Sequence, residues 1–423
     1  MKIYVAIPVM DEPEWLFRCL DALSAQDYTC FEVWICVNQP EEWWNNPGKQ
    51  QSCDNNRQTL KKLSGYNAVT LNIIDKSSPG CGWACRAGGV GRARKTIMDT
   101  ICGEAEDDDI IVSLDGDTLT EKGYFSSLAE SFGSNGSIAG ISVPYFHNLV
   151  SDEKINRLIL RYEIYLRYYA INLWRINSPY APTALGSAIA FPVWAYRRVG
   201  GMPPRESGED FYFLQKLQKM GTILSWIPER VHPAARFSER VLFGTGIALQ
   251  KASQKGWAAY PIFSPDLFDN IGKTIALFPQ LFKKNIETPI SPFLREKFHT
   301  DDPWAPLREN HHNVEQFIRA CHERFDGLKI FQYLRSNNSG KTCTEEESLL
   351  AYLKKHHGNY IRNGTGGKIV KKLLFPDINK FWSFENADIR QIDAVRCILS
   401  EIENSYRYQN SKKLKNNYEK NPK

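Results

Sequence analysis

With 423 residues, 42% of them hydrophobic, the chain can bury a large core and form two domains or one enlarged catalytic domain. Its 53 basic and 48 acidic residues leave a net charge of +5, too balanced for the field of a nucleic-acid binder, so no nucleic acid is expected as a partner. The start, MKIYVAIPVMDEP, lacks the apolar length and cleavage site of a secretory signal, and ALGSAIAFPVWAY (184–196) is shorter than the ~20 residues of a bilayer span.

The first half alternates between strand and helix patterns. KIYVAIPV (2–9) reads as a buried strand, and DEPEWLFRCLDALSAQ (11–26) as a helix with Trp15, Leu16, Cys19, Leu20 and Leu23 on one face. FEVWICV (31–37) is a second strand, QPEEWWNNPGKQQSCDNN (39–56) a polar insertion loop, RQTLKKL (57–63) helix, VTLNIID (69–75) a third strand and RARKTIMDTICG (92–103) a further helix. IIVSLD (110–115) is the fourth strand. This alternation predicts an α/β fold with a mainly parallel sheet flanked by helices, whose ligands lie at the carboxyl ends of the strands. Each strand ends in polar or turn-forming residues: Pro8 to Glu12, Asn38 to Pro40, Asp75 to Ser77, and Asp115-Gly116-Asp117.

EKINRLILRYEIYLRYYAINLWRI (153–176) reads as a helix packed on several sides. Beyond about residue 255 the pattern turns helical, as in VEQFIRACHERF (314–325), EEESLLAYLKKHH (345–357) and DIRQIDAVRCILSEIENSY (388–406). The reading divides the chain into an α/β domain at 1–250, a mostly helical C-terminal lobe at 251–408, and a disordered basic tail at 409–423. The ten cysteines are scattered, several within apolar strand patterns, which suits reduced thiols and a cytoplasmic protein. IGKTIALFPQLFKK (271–284) is expected to pack in a core or domain interface, with peripheral contact to a membrane surface as the alternative.

Two aspartates one residue apart on a strand point to opposite faces, but Gly116 after the strand end lets the backbone bring both to one side. Mg2+ and Mn2+ favour one or two carboxylates together with substrate phosphate oxygens, so Asp115 and Asp117 at the mouth of the sheet suit a metal-bound diphosphate. An ordinary Asp-Gly turn is the competing explanation.

Four segments in order, AIPVMDEPEWLFRCLDAL (6–23), GGVGRARKTIMD (88–99), IIVSLDGDT (110–118) and ALGSAIAFPVWAYRRVGGMPPRESGEDFYFLQKL (184–217), make the chain resemble the family 2 inverting glycosyltransferases over about residues 2–250. The resemblance implies a GT-A fold and transfer of a sugar from a nucleotide-diphosphate donor to an acceptor hydroxyl on a saccharide, lipid or small molecule. It implies that Asp115 contacts the donor ribose and that Asp117 holds a Mn2+ or Mg2+ ion on the diphosphate. Pro8, Val9 and Glu12 belong to the stretch that wraps base and ribose. Arg94 and Lys95 match basic positions near the donor, and charge at a helix start suits phosphate.

Asn38 stands where the family has an acidic residue for the base, and Asp75 is the candidate replacement. Asp210, in RESGEDFYFLQKL (205–217), is the expected general base, and His232 a further metal ligand. Helix-terminal carboxylates and a structural histidine are the plain alternatives for these last two. Arg236, Ser238 and Arg240 are read as a lid over the diphosphate. The chain lacks the Gln-x-x-Arg-Trp motif of processive, cellulose-synthase-like members. A sugar nucleotidyltransferase and a non-catalytic carbohydrate-binding or scaffold protein are the rival readings.

Overall fold

Ile3–Val9 is buried at every position, which a strand permits only when layers cover both faces of its sheet. In the computed structural model it is β1, the third of seven strands. The structure describes residues 1–84, 89–134, 136–205, 208–236, 260–338, 344–363, 368–374 and 382–420.

The other strands of this sheet are β2 (Phe31–Asn38), β3 (Leu71–Lys76), β4 (Ile110–Ser113), β6 (Ile138–Ser142), β7 (Ile189–Pro192) and β8 (Thr222–Leu224). Their spatial order is β3-β2-β1-β4-β7-β6-β8. Only β7 runs against its neighbours β4 and β6. A separate ribbon pairs β5 (Thr118–Thr120) with β9 (Val231–Pro233), opposing Leu119 and His232. The α/β sheet expected from the sequence is therefore present.

Among the described residues, the helices of the chain up to Met220 are α1 (Trp15–Ser24), α2 (Gln50–Leu63), α3 (Val90–Glu104), α4 (Tyr124–Gly133), α5 (Glu153–Arg175), α6 (Val193–Arg198) and α7 (Glu209–Met220). Ala93, Ile97, Met98 and Ile101 of α3 bury one helical stripe in a cluster with Tyr4, Ala6 and Ile111 of the sheet. The stretch 39–56 is not all loop. It holds two short 3-10 turns and then the start of α2, whose exposed polar residues conceal the helical period in the sequence.

The described residues fall into two compact units. One comprises Met1–Ile159, Ala184–Gln254 and Arg407–Lys423, the other Leu160–Thr183 and Lys255–Tyr406. The second unit contains most of α5 together with α8 (Pro265–Leu281), α9 (Ser291–Phe298), α10 (Ala305–Asn310), α11 (Val314–Arg324), α12 (Gly327–Ser336), α13 (Glu345–Asn363), α14 (Lys368–Leu374) and the greater part of α15 (Ile389–Lys420). Its core holds Tyr168, Phe268 and Tyr352 in edge-to-face contact. Arg167, fully buried there, donates to Glu163 at 3.0 Å and Glu403 at 2.7 Å.

This division differs from a single cut at 250. It also differs from a disordered tail at 409–423, because α15 continues to Lys420. Arg407, buried in the sheet unit, donates through Nη1 to the carbonyls of Ser142 (3.0 Å) and Ser225 (3.1 Å). Ser411 accepts from the Ser225 amide at 3.1 Å. Among the described residues no helix is long and apolar enough to cross a membrane.

Candidate active site

After β4 the chain passes through Asp115-Gly116-Asp117 into β5, closed by a hydrogen bond from the Thr118 amide to the Asp115 carbonyl (3.1 Å). A Cβ on Gly116 would sit 2.8 Å from Glu12 Oε2. Glycine is thus needed there for the close approach of Glu12 as well as for the turn. Glu12 closes the Pro8–Glu12 stretch, which α2 pins in place. The Asp11 amide donates to Asn56 Oδ1 (2.7 Å), and the Asp11 carboxylate accepts from Asn55 (2.6 Å) and Ser52 (2.9 Å).

Arg94 lies in the second turn of α3 with its side chain 4% exposed. Its two terminal nitrogens donate to Asp115 and to Glu209. Gly186 leaves the space for this, since a Cβ there would overlap the guanidinium. One side chain thereby ties the end of β4 to the first residue of α7. The sequence reading expected Arg94 to face phosphate; here its guanidinium is committed to two carboxylates. Lys95 instead pairs with Asp99 on its own helix at 2.8 Å.

Asp210 follows Glu209 at the start of α7, entered through Gly208 at a φ of 67°. Its Oδ1 accepts from the Phe211 amide at 2.7 Å. Burial pushes its carboxyl up to about 7, helped by neighbouring Glu209 and opposed by Arg94. A carboxylate held there is poised near neutrality, as proton transfer at neutral pH requires.

Arg236, beyond β9, joins the remaining two acids. Its Nε donates to Asp117 Oδ2 at 2.7 Å, while Nη2 contacts that same oxygen at 2.6 Å and also Glu12. Burial raises the Glu12 carboxyl to about 8, with Asp117 adding to the effect and Arg236 opposing it. Burial likewise raises Asp117, against the pull of Arg236. Four carboxyl groups, Glu12, Asp115, Asp117 and Glu209, thus pair with two guanidinium groups, and Asp210 lies beside them.

The other sequence candidates are engaged locally. Asn38 is buried, donating to the Val9 carbonyl (2.9 Å) and accepting from the Trp83 indole (3.3 Å). Asp75 accepts from the Ser77 amide (2.8 Å), the Ser77 hydroxyl (3.0 Å) and the Ser78 amide (3.0 Å). Against the effect of burial, these bonds from Ser78 and Ser77 hold its carboxyl low. Pro8 and Val9 are the buried end of β1. The His232 ring nitrogens face the Phe146 carbonyl (3.0 Å) and Glu121 Oε1 (3.3 Å), so ligation of an ion would require one contact to break. Ser238 and Arg240 lie outside the described residues. Sequence reasoning missed the roles of Glu209 and Glu12 as arginine partners; both follow from contacts more than a hundred residues apart along the chain.

Residues 110–259 match the family model described as "Glycosyl transferase family group 2". The chain carries a family 2 glycosyltransferase domain. Among solved structures, this glycosyltransferase is similar to S. aureus TarS 1-349 in complex with UDP-GlcNAc, at 16% identity over 97% of this chain and 92% of that one, with a TM-score of 0.42. It is also similar to the mannosyltransferase PcManGT from Pyrobaculum calidifontis in complex with GDP-Man and Mn2+, at 14% identity over 95% and 86% of the two chains, with a TM-score of 0.37. No curated protein matches the chain.

The glycosyltransferase has the donor chemistry for a hard cation. Among its described residues no group of three His, Cys, Asp or Glu side chains is arranged to hold a metal ion. Asp117 and Glu12, however, both reach one nitrogen of Arg236, so two carboxylates converge on a point already holding positive charge. Two carboxylates completed by substrate phosphate oxygens fit Mg2+ or Mn2+.

Proposed function

We propose that this glycosyltransferase is an inverting, metal-dependent enzyme that moves a sugar from a nucleotide-diphosphate donor to an acceptor hydroxyl. Asp210 is the base, Asp117 with Glu12 holds a Mn2+ or Mg2+ ion, with His232 a further candidate ligand, and Asp115 orients the donor ribose. Pro8 and Val9 offer main chain to the nucleotide, near Asn38 and Asp75. The acceptor oxygen forms its bond to the anomeric carbon from the side opposite the diphosphate, whose bond to that carbon breaks. The hydroxyl proton passes to Asp210. When bound, the ion neutralises the charge that grows on the departing diphosphate.

The observation that carries this reading is the Arg94 bridge, which supports Asp115 and the Glu209-Asp210 pair from a single buried cation. Donor site and base are thereby held in register, and positioning supplies much of the acceleration in such transfers. The test pairs a donor screen by thermal shift with Asp210→Asn. Using the nucleotide sugar that stabilises the protein most, transfer should fall by about 10²–10⁴-fold while donor affinity is retained. Unchanged turnover would remove Asp210 from the role.

A further inference from the structure

The contact set of Arg236 goes beyond that of an arginine waiting over a diphosphate. Asp117 Oδ2 accepts from Nε at 2.7 Å and lies 2.6 Å from Nη2 as an ion pair, while Nη2 donates to Glu12. The Asp117 oxygen proposed to ligate a metal thus already accepts one charge-assisted hydrogen bond and sits in a second close ion-pair contact. Both carboxylate side chains are largely shielded, Glu12 at 12% and Asp117 at 17% exposure, so water alone compensates them poorly. Gly116, lacking a side chain, is what allows Glu12 this close. The guanidinium stands where a cation has to be.

We propose that Arg236 is the resident counter-ion of the metal site, and that a divalent cation must displace it from Asp117 and Glu12. This deepens, and rests on, the reading of Asp117 as a metal ligand. A guanidinium and a metal ion cannot both use Asp117 Oδ2 with full coordination. The exchange therefore costs the enzyme two hydrogen bonds, and metal uptake without donor is weakened by that amount. A nucleoside diphosphate changes the balance, because its phosphate oxygens complete the ion's shell and offer the released guanidinium a planar, bidentate partner. Metal and donor then bind with positive coupling that runs through Arg236.

The experiment is titration of the full chain with Mn2+, followed by the electron paramagnetic resonance signal of the free ion, without nucleotide and then with UDP or GDP. Four proteins are compared: wild type, Arg236→Gln, Arg236→Lys and Asp117→Asn. Arg236→Gln should bind Mn2+ about tenfold more tightly without nucleotide, equivalent to about 1.4 kcal/mol. Its further gain on adding nucleoside diphosphate should be smaller than that of wild type. Arg236→Lys keeps the charge but cannot span both carboxylates, so it should fall between the two.

Equal or weaker Mn2+ binding by Arg236→Gln, with uptake lost in Asp117→Asn, would overturn the displacement while leaving the metal assignment standing. Arg236→Lys no tighter than wild type would reduce the effect to charge alone and overturn it too. Uptake unchanged in Asp117→Asn would remove Asp117 as a ligand, and the proposal with it.

Discussion

Replacing Arg94 by methionine isolates the cost of an uncompensated buried acid. Methionine fills much of the same volume, so the main loss is charge. The two partners differ sharply in what they can recover. Asp115 is 39% exposed and can turn to water, whereas Glu209 is 4% exposed and cannot. The penalty therefore falls on Glu209, and breaking one side of a buried pair costs about 3–5 kcal/mol. For a unit of this size, roughly 2–4 °C is lost per kcal/mol, so the melting temperature should drop by about 6–20 °C. Adding Glu209→Gln removes the stranded charge and should return about 2 kcal/mol or more. Urea unfolding followed by tryptophan fluorescence would measure both variants. A single variant within about 1 kcal/mol of wild type, or a double variant no more stable than the single, would refute the reasoning.

The pH dependence follows from Asp210. Its folded carboxyl titrates at about 7, so kcat/KM should fall about tenfold per unit below that point. Because Arg94 opposes the rise, its removal should move this limb to higher pH; a limb that stays put would separate the two residues. Stability runs the other way, since a carboxyl raised above its unfolded value of ~3.9 stabilises fully below that value and loses the contribution as pH climbs toward 7. Separately, Arg407→Met strips donors from the carbonyls of Ser142 and Ser225. Hydrogen exchange should then quicken in β6 and β8 but not in α8 to α13, with a loss of about 2–4 kcal/mol in the sheet unit. Unaltered protection there would discount the contact.

What could be read from the residue order was whatever depends on neighbours along the chain. Val5, Ile35 and Val112 announce buried strands because apolar runs bounded by polar turns have few other uses. Asp115 and Asp117 stand out because a buried strand delivers them. Arg94 was visible as a basic residue at a helix start, but its partner Glu209 lies 115 positions away, and nothing local distinguishes a phosphate contact from a carboxylate pair. Asn38 looked free to read a base. Only the packed structure brings Trp83 and Val9 onto its amide. Ser52, Asn55 and Asn56 read as loop because their polarity hid a helix whose inner face holds Asp11.

The anchoring of Arg407 bears on how the protein is made. Its bonds to Ser142 and Ser225 span 265 and 182 positions, with Lys255–Tyr406 of the helical unit threaded between in both cases. During synthesis, domains generally fold from the amino end as they emerge. Here the strands that carry the aspartates leave the ribosome early, yet β6 and β8 await a guanidinium translated long afterwards. A nascent chain halted anywhere in the helical unit would present a sheet without its last brace, and such distant closures are slow.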